Sequence, residues 1–280
     1  PRVLTAVCKY TEIQAFGFCN IAWRSENGYK WFARMLDRDI DKIEVTTAGL
    51  NHFAWLVEIR DKKSGEDLYP ELESRIREKN QGEFKIINKW LDQFGGIMAG
   101  VVEHQAEYLP YDEEIDYTLE PPFHGDEAER KKQRQDLEEV KNGIKNWDEI
   151  ECFKNGSWEH PGKFAVESGR AEKTKFDIIN IPNQGYIKEL PQNRIVEVPV
   201  KLENGKWKGM EIEGLPEGVI NICKKISKVH ELVAEAAVKG DREIARKAIE
   251  IDPAIKDKKT AYKALDKILE AHQDILPHFH

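Results

Sequence analysis

The feature that most constrains the fold is a pair of apolar, strand-like runs that each end in a side chain able to bind a metal ion. The first run covers residues 11–19 and ends at Cys19, and the second covers residues 43–52 and ends at His52. Alternating apolar residues continue to Arg60, which predicts a further strand. A thiolate and an imidazole at neighbouring strand ends can share one divalent metal ion. We therefore expect a metal site at a sheet edge that faces a crevice.

Helices are predicted before, between and after these strands by apolar residues at helical spacing. They cover residues 1–10, residues 31–36, two segments within 69–95, a highly charged stretch at about 126–148 and a segment at about 160–172, and two or three more close the chain. A strand and turn at 177–185 and a hairpin formed by 194–200 and 206–212 are also predicted. Strands mixed with helices, followed mainly by helices, indicate an α/β or α+β fold.

Composition excludes several classes of function. The chain has 280 residues, enough for one large domain or two modest ones, with 40% hydrophobic and 34% charged residues, which is typical of a soluble globular protein. Its net charge of −8 argues against general affinity for nucleic acid or anionic membranes. Its apolar runs are shorter than the roughly 18 residues that span a bilayer. Four cysteines without CxxC spacing indicate reduced thiols in a cytoplasmic protein.

Polar residues near the two strand ends are the candidate site residues. Asn20 and Asn51 flank the metal-ligand candidates, where each can hydrogen-bond a sugar hydroxyl or cap a turn. The segment 103–111 is predicted to be a loop that contains acids and bases suited to proton abstraction, and it can equally be a polar surface loop. Cys19 and His52 also have a purely structural interpretation, as a packed thiol and a hydrogen-bonded imidazole.

Short motifs spread along nearly the whole chain resemble those of the NAD- and metal-dependent glycosidases of glycoside hydrolase family 4. No single motif is decisive, but their order is specific. They are Gly17-Phe18-Cys19-Asn20, Gly49-Leu50-Asn51-His52, the run from Glu103 to Pro110, the run from Ile181 to Pro191, Val196-Glu197-Val198-Pro199, Gly214-Leu215-Pro216, the run from His230 to Ala237, Gly240-Asp241 and Asp252-Pro253.

The resemblance implies an NAD- and Mn²⁺-dependent glycosidase (another divalent metal can replace Mn²⁺). In that family the sugar C3 hydroxyl is oxidised by NAD⁺, the C2 proton is removed with assistance from the metal, and the glycosidic bond breaks by elimination, unlike the two-carboxylate mechanism of most glycosidases. Carried over by motif, Cys19 and His52 are the metal ligands, and Asn20 and Asn51 contact the sugar. The C2 base is expected in the 103–111 segment, at Tyr111 or Glu103, with His104 as the alternative.

The substrate is not determined by the resemblance. Cys19-Asn20-Ile21-Ala22 half-matches the family members that act on 6-phosphoglycosides, but it lacks their proline. The segment Glu107-Tyr108-Leu109-Pro110 is more similar to the α-glucosidase, α-galactosidase and α-galacturonidase members. An α-glucoside, α-galactoside or uronide is therefore the first expectation and a 6-phosphoglycoside the alternative.

The beginning of the chain resembles the middle of a domain. Pro1 leads at once into a helix, and the glycine-rich NAD loop of the family would precede it. We expect residues 1–40 to be the end of a Rossmann-type dinucleotide-binding domain. Residues 41–280 are then a mainly helical substrate- and metal-binding and oligomerisation domain, similar to the C-terminal domain of lactate and malate dehydrogenases. The family implies a homodimer or homotetramer. The alternative to an enzyme is a non-catalytic fragment that binds sugar or metal or serves assembly.

Overall fold

The computed structural model of the chain describes residues 1–18, 28–100, 102–109, 127–146, 149, 175–203 and 206–279. Its helices are α1 Arg2–Tyr10, α2 Tyr29–Met35, α3 Tyr69–Arg77, α4 Glu83–Phe94, α5 Val102–Ala106, α6 Glu127–Lys141, α7 Glu217–Lys239, α8 Arg242–Ile251 and α9 Lys258–Ala271. Its strands are β1 Ile43–Leu50, β2 Phe53–Asp61, β3 Met98–Ala99, β4 Lys175–Pro182, β5 Ile195–Glu203 and β6 Lys206–Gly209.

The described strands form one sheet in the order β3-β2-β1-β5-β4, with β6 paired to β5. Each strand is antiparallel to its neighbours. Together with the helices, this sheet confirms the predicted mixed α/β class and belongs to its α+β form, because an antiparallel sheet is combined with separate helices.

The hairpin of β1 and β2 supplies much of the core beside the site. Its strands pair from Ile43 opposite Asp61 to Leu50 opposite Phe53, so two residues form the turn. Phe53 and Trp55 are fully buried and their rings meet edge to face at 5.2 Å. The predicted strands at 43–52 and 53–60 are therefore confirmed, and apolar burial sets their register.

The helices form where apolar residues recur on one face. In α4 the buried positions are Ile86, Ile87, Trp90, Leu91 and Phe94, and Gly95 ends the helix in the left-handed conformation with a φ of 77°. Phe94 meets Trp55 of the sheet at 5.5 Å between ring centroids. The long helix α7 packs against α1, α4 and α8. Among the described residues, no helix combines the length and the apolar content that spanning a membrane requires.

The chain divides into two compact units. The first comprises Pro1–Asp112 and Thr174–His280, and contains the sheet and every helix except α6 among the described elements. The second comprises Glu113–Lys173 and contains α6. Lys145 binds Asp136 and Glu139 of α6 at 2.5 and 3.3 Å, which ties the end of this charged helix to the residues that follow it. The predicted charged helix is thus confirmed over 127–141, and the helix predicted at about 160–172 lies outside the described residues.

Two predictions of local structure were wrong. Residues 11–18 do not form a buried strand, since the described segment makes a single bridge, from Gly17 to Asn180. Ile13 and Phe16 are 64% and 46% exposed, so the segment lacks the burial that would stabilise a strand. The segment predicted as a loop from residue 103 begins inside a helix, α5, which continues to Ala106.

Candidate metal and substrate site

One row of four residues crosses the sheet beside the predicted site. Gly17 lies beside Asn180 of β4, Asn180 lies opposite Glu197 of β5, and Glu197 lies opposite Gly49 of β1. Gly17 and Asn180 exchange two backbone hydrogen bonds, of 2.9 and 2.8 Å. The polar pair at the centre of this row is therefore flanked by glycine on both sides. A Cβ atom at Gly17 would lie 3.3 Å from the Cβ of Asn180, which is tighter than an ordinary contact.

Asn51 and His52 form the two-residue turn between β1 and β2. The backbone of His52 is left-handed, with a φ of 61°. The second residue of a two-residue hairpin turn commonly has a positive φ, and histidine, like asparagine and aspartate, is enriched in this conformation. The turn therefore presents the imidazole at the end of β1, where the sequence predicts a ligand.

Glu107 orients the ring of His52. Both carboxylate oxygens of Glu107 lie 3.3 Å from Nδ1 of His52. A carboxylate at this nitrogen favours a proton on Nδ1, which leaves the lone pair of the neutral ring on Nε2. Metal-binding histidines typically have this arrangement, in which the second ring nitrogen donates to a carboxylate.

The segment that carries Glu107 is anchored by its buried neighbours. Gln105 is 1% exposed and donates from Nε2 to the carbonyl oxygens of Ala54 at 3.0 Å and Ala99 at 3.4 Å. Tyr108 packs its ring against Phe53 at 5.6 Å. Because Gln105 and Tyr108, on either side of Glu107, are held by the hairpin and β3, the carboxylate is kept close to the His52 turn.

Glu197 is a buried carboxylate next to the same turn. It is 1% exposed, and its Oε2 accepts hydrogen bonds from Nδ2 of Asn51 at 3.1 Å and from Nδ2 of Asn180 at 2.7 Å. Burial raises the pKa of the Glu197 carboxyl, although the two amides and the nearby His52 act in the opposite direction. Asn51 is thus connected across the sheet to β5 and, through Glu197, to β4.

The structure brings together only part of the predicted site. His52 and Asn51 lie in one turn, as their adjacency requires, and Glu103 and His104 lie on α5. Cys19, Asn20 and Tyr111 lie outside the described residues, as do the side chains of Glu103 and His104.

Glu107 lies in the 103–111 segment of predicted acids and bases, but its role beside His52 was not predicted. Asn180 and Glu197 were not predicted as site residues, and both carry a sequence signal, since each interrupts an otherwise apolar strand, in Ile178-Ile179-Asn180-Ile181 and in Ile195-Val196-Glu197-Val198. A polar side chain inside a buried strand needs a partner. That signal identifies the two residues but does not show that they contact each other.

The described part of the site fits a divalent metal ion as a partial ligand set. His52 has the orienting carboxylate that a metal-bound imidazole uses, and no group of three or more His, Cys, Asp or Glu side chains suited to a metal occurs among the described residues. The fit to NAD is poor, because the sequence has no pair of glycines separated by one residue and hence no GxGxxG loop.

The sequence profile of the family 4 glycosyl hydrolase C-terminal domain matches residues 47–255, a range that contains the His52 turn, Glu107, Asn180 and Glu197. The chain belongs to the family 4 glycosyl hydrolases. This confirms the family that the motifs indicated.

Relatives in family 4 differ in the sugar that their names give. The chain is 30% identical over 287 residues to an alpha-galactosidase of Bacillus subtilis (strain 168), covering 98% of this chain and 64% of that protein. It is 26% identical over 297 residues to an alpha-galacturonidase of Lachnoclostridium phytofermentans, covering 96% of this chain and 63% of that protein. The chain therefore spans less than two thirds of the length of these relatives.

Solved structures show the same fold. A 6-phospho-alpha-glucosidase from gut microorganisms, crystallised with NAD and Mn²⁺, superposes with a TM-score of 0.70 at 20% identity, over 95% of this chain and 62% of that one. The 6-phospho-beta glucosidase from Thermotoga maritima, crystallised with NAD and glucose-6-phosphate, gives a TM-score of 0.69 at 20% identity, over 98% and 64% of the two chains. At this identity the likeness establishes the fold.

Proposed function

We propose that this chain carries the metal- and sugar-binding site of a family 4 glycosidase, with Cys19 and His52 as metal ligands and Asn20 and Asn51 as sugar contacts. The observation that supports this most directly is the left-handed turn that presents His52 with its Nδ1 at 3.3 Å from the Glu107 carboxylate. A carboxylate that fixes the tautomer and the orientation of the ring is typical of a metal-binding histidine.

Each residue of the proposed site has a separate role in the reaction. A divalent cation bound there would stabilise negative charge on sugar oxygens. His52 holds its position through the turn and through Glu107, and the amide of Asn51 can hydrogen-bond a sugar hydroxyl. We assign the C2 base to Tyr111 or Glu103, with His104 as the alternative. In support, α5 carries Glu103 and His104 on the segment that leads directly to Glu107.

The proposed substrate is an α-glycoside, either a glucoside, a galactoside or a uronide. The support is the 30% identity to a protein named alpha-galactosidase and the 26% identity to one named alpha-galacturonidase. A 6-phosphoglycoside is the second candidate, because solved structures with the same fold are named as 6-phosphoglucosidases.

The proposed domain division is that residues 1–40 complete a dinucleotide-binding domain and that residues 41–280 form the substrate domain. The proposed assembly is a homodimer or homotetramer, which light scattering on the purified chain measures directly. Dinucleotide binding is proposed for the whole protein. Mn²⁺ or another divalent metal is the second proposed cofactor.

Calorimetric titration with Mn²⁺ tests the metal site. We expect stoichiometric binding to the wild-type chain under reducing conditions. Binding should weaken by about 10-fold or more in His52→Ala and in Cys19→Ser, because each loses a ligand of a site with few ligands. Circular dichroism should show that both variants remain folded. A folded wild-type chain that binds no divalent metal would refute the site.

A glycoside panel tests the activity. Nitrophenyl α- and β-glycosides, with and without a 6-phosphate, are supplied together with NAD⁺, Mn²⁺ and a dithiol. Release of nitrophenol from an α-glycoside that depends on both cofactors is the result expected of the whole protein, which combines the dinucleotide-binding domain with this chain. If the chain binds Mn²⁺ but releases nothing from any glycoside, the non-catalytic sugar- or metal-binding module is the better assignment for this chain.

A further inference from the structure

Glu197 lies where its carboxylate can reach two segments of the site at once. It is in β5, with Gly49 opposite it on β1 and Asn180 opposite it on β4. Its neighbours in the strand, Val196 and Val198, are 0% exposed, so the backbone at Glu197 is held by the core on the other face of the sheet.

The hydrogen bonds of Glu197 determine how two amides are oriented. Nδ2 of Asn51 and Nδ2 of Asn180 both donate to Oε2. A carboxylate accepts only from the nitrogen side of an amide, so each amide must direct its carbonyl oxygen away from Glu197. Oδ1 of Asn180 is buried and has no hydrogen-bond partner among the described residues. The network therefore leaves an amide oxygen of β4 as a buried acceptor.

Stability of the fold does not account for a carboxylate at this position. Removing a charged group from water costs more than two hydrogen bonds usually return, and replacing buried charged groups by apolar side chains of similar size is often neutral or stabilising. A buried polar network can instead be retained because it selects one conformation of the surrounding residues among several. Here the fixed arrangement is that of Asn51, the first residue of the turn that presents His52.

We propose that Glu197 is a positioning residue of the family 4 site: it clamps the amides of Asn51 and Asn180, and so holds the Asn51-His52 turn in the arrangement that binds the metal. This rests on the proposed function, because it needs His52 to be a ligand. The clamp acts through the reach and the acceptor oxygen of the side chain. It follows that glutamine, which keeps both, can replace Glu197, whereas aspartate, one methylene shorter, cannot reach both amides.

Two conservative variants separate these requirements in a Mn²⁺ titration of the full chain. Glu197→Gln should bind Mn²⁺ within about threefold of wild type, and Glu197→Asp should bind about 10-fold or more weakly, the scale of loss when a partner of a ligand is removed. Val200→Ala is the matched control for stability, since it opens a cavity in the same strand on the opposite face. It should lower the midpoint of unfolding and leave Mn²⁺ affinity unchanged.

A second measurement reads the clamp directly. In protein labelled with ¹⁵N-asparagine, the side-chain amide signals of Asn51 and Asn180 should exchange slowly with solvent in wild type and in Glu197→Gln, and fast in Glu197→Asp. Signals are assigned by comparison with Asn51→Asp and Asn180→Asp.

The outcomes discriminate between the two proposals. Equal Mn²⁺ affinity in Glu197→Asp and wild type would overturn the positioning role. Binding by Glu197→Gln as weak as that by Glu197→Asp would also overturn it, because the charge of Glu197 would then be the decisive property. If instead wild type binds no Mn²⁺, or His52→Ala binds as well as wild type, the proposed function fails. The amide exchange then decides by itself whether Glu197 is a clamp.

Discussion

At the scale of single residues, His230 of α7 is the side chain most at odds with its surroundings. It is 2% exposed, and neither ring nitrogen has a hydrogen-bond partner among the described residues. Its ring meets the edge of Tyr108 at 5.5 Å. Burial lowers the pKa of His230 to about 3, and the charges of Arg2 and Arg194 act in the same direction. The folded chain therefore holds this imidazole neutral.

The depressed pKa of His230 predicts a loss of stability in mild acid. The unfolded chain takes up a proton as the pH falls through about 6.5, whereas the folded chain does so only near pH 3. Its contribution is therefore complete above about pH 6.5 and declines as the pH falls, by up to about 1.4 kcal/mol per pH unit. Urea unfolding of wild type and His230→Leu between about pH 6.5 and pH 5 measures the difference in slope.

Val229→Ala, at the buried position next to His230 on α7, provides the control, as it should lower stability and keep the wild-type slope. The pKa of Glu197 is raised, so this residue changes the pH dependence of stability in the opposite sense. Its contribution is the same in all variants and cancels when their slopes are compared. An unchanged slope in His230→Leu would show that His230 is not the group responsible.

Glu107 is the second residue with a measurable role. Glu107→Ala removes the carboxylate at Nδ1 of His52, so the imidazole loses its fixed tautomer and orientation. We expect about a 10- to 100-fold loss of Mn²⁺ affinity by calorimetry, with little change in the midpoint of unfolding, because the Glu107 side chain is 47% exposed. The exposed Glu66, at the far end of the same hairpin, supplies the control Glu66→Ala. Equal losses in the two variants would mean that Glu107 acts only through overall charge.

At the scale of elements, the hairpin of β1 and β2 depends on glycine at one place. Gly49 has a φ of 148°, and a Cβ atom there would lie 2.5 Å from the carbonyl oxygen of Phe53. That oxygen belongs to the strand partner, so it cannot move without breaking the pairing that closes the turn. Backbone strain and a backbone clash therefore coincide two residues before Asn51.

Gly49→Ala should lower the free energy of unfolding by about 2–4 kcal/mol, measured by urea denaturation. Gly65→Ala, in the turn after β2, is the matched control. Its φ of 73° is also left-handed, but a Cβ atom there meets nothing within 4 Å. Strain alone should then cost about 1–2 kcal/mol. If both substitutions cost the same, the contact with Phe53 contributes nothing.

At the scale of the whole molecule, Glu231 connects three parts of the first unit. Its carboxylate binds Lys9 of α1 at 3.0 Å, Arg194 before β5 at 2.5 Å and Lys228 of α7 at 2.6 Å. Burial by itself would raise the pKa of Glu231, but the hydrogen bonds from these three cations outweigh it and lower the pKa to about 2. Ion pairs to this one carboxylate thus link α1 and the segment before β5 to α7.

Glu231→Gln should lower the free energy of unfolding near neutral pH by about 1–2 kcal/mol, because three cations lose their anion. The folded pKa lies below the unfolded one, so the contribution is present above about pH 4.5 and is lost as the pH falls towards 2. Wild type and Glu231→Gln should therefore converge in acid. Glu243→Gln, whose side chain is 71% exposed in its pair with Arg246, should remain within about 0.5 kcal/mol of wild type.

The sequence by itself determined the features that depend on neighbours along the chain. Apolar alternation predicted β1 and β2, helical spacing predicted α3, α4 and α7, and Gly95 marked the end of α4. It also identified the family and singled out His52, because these follow from short motifs in order. The predicted strand at 11–19 failed because apolar composition alone does not show whether a partner covers the segment, and Ile13 and Phe16 are left exposed.

Only the tertiary structure decided which polar groups meet. Asn51 and Glu197 are 146 residues apart in the chain, and His52 and Glu107 are 55 apart. No local pattern pairs residues at such separations, since strand register and the packing of α5 on the sheet bring them together. The metal-ligand candidate at the end of β1 was thus visible in the sequence. Its contact with Glu107, and the contact of Asn51 with Glu197, could be recognised only in the tertiary structure.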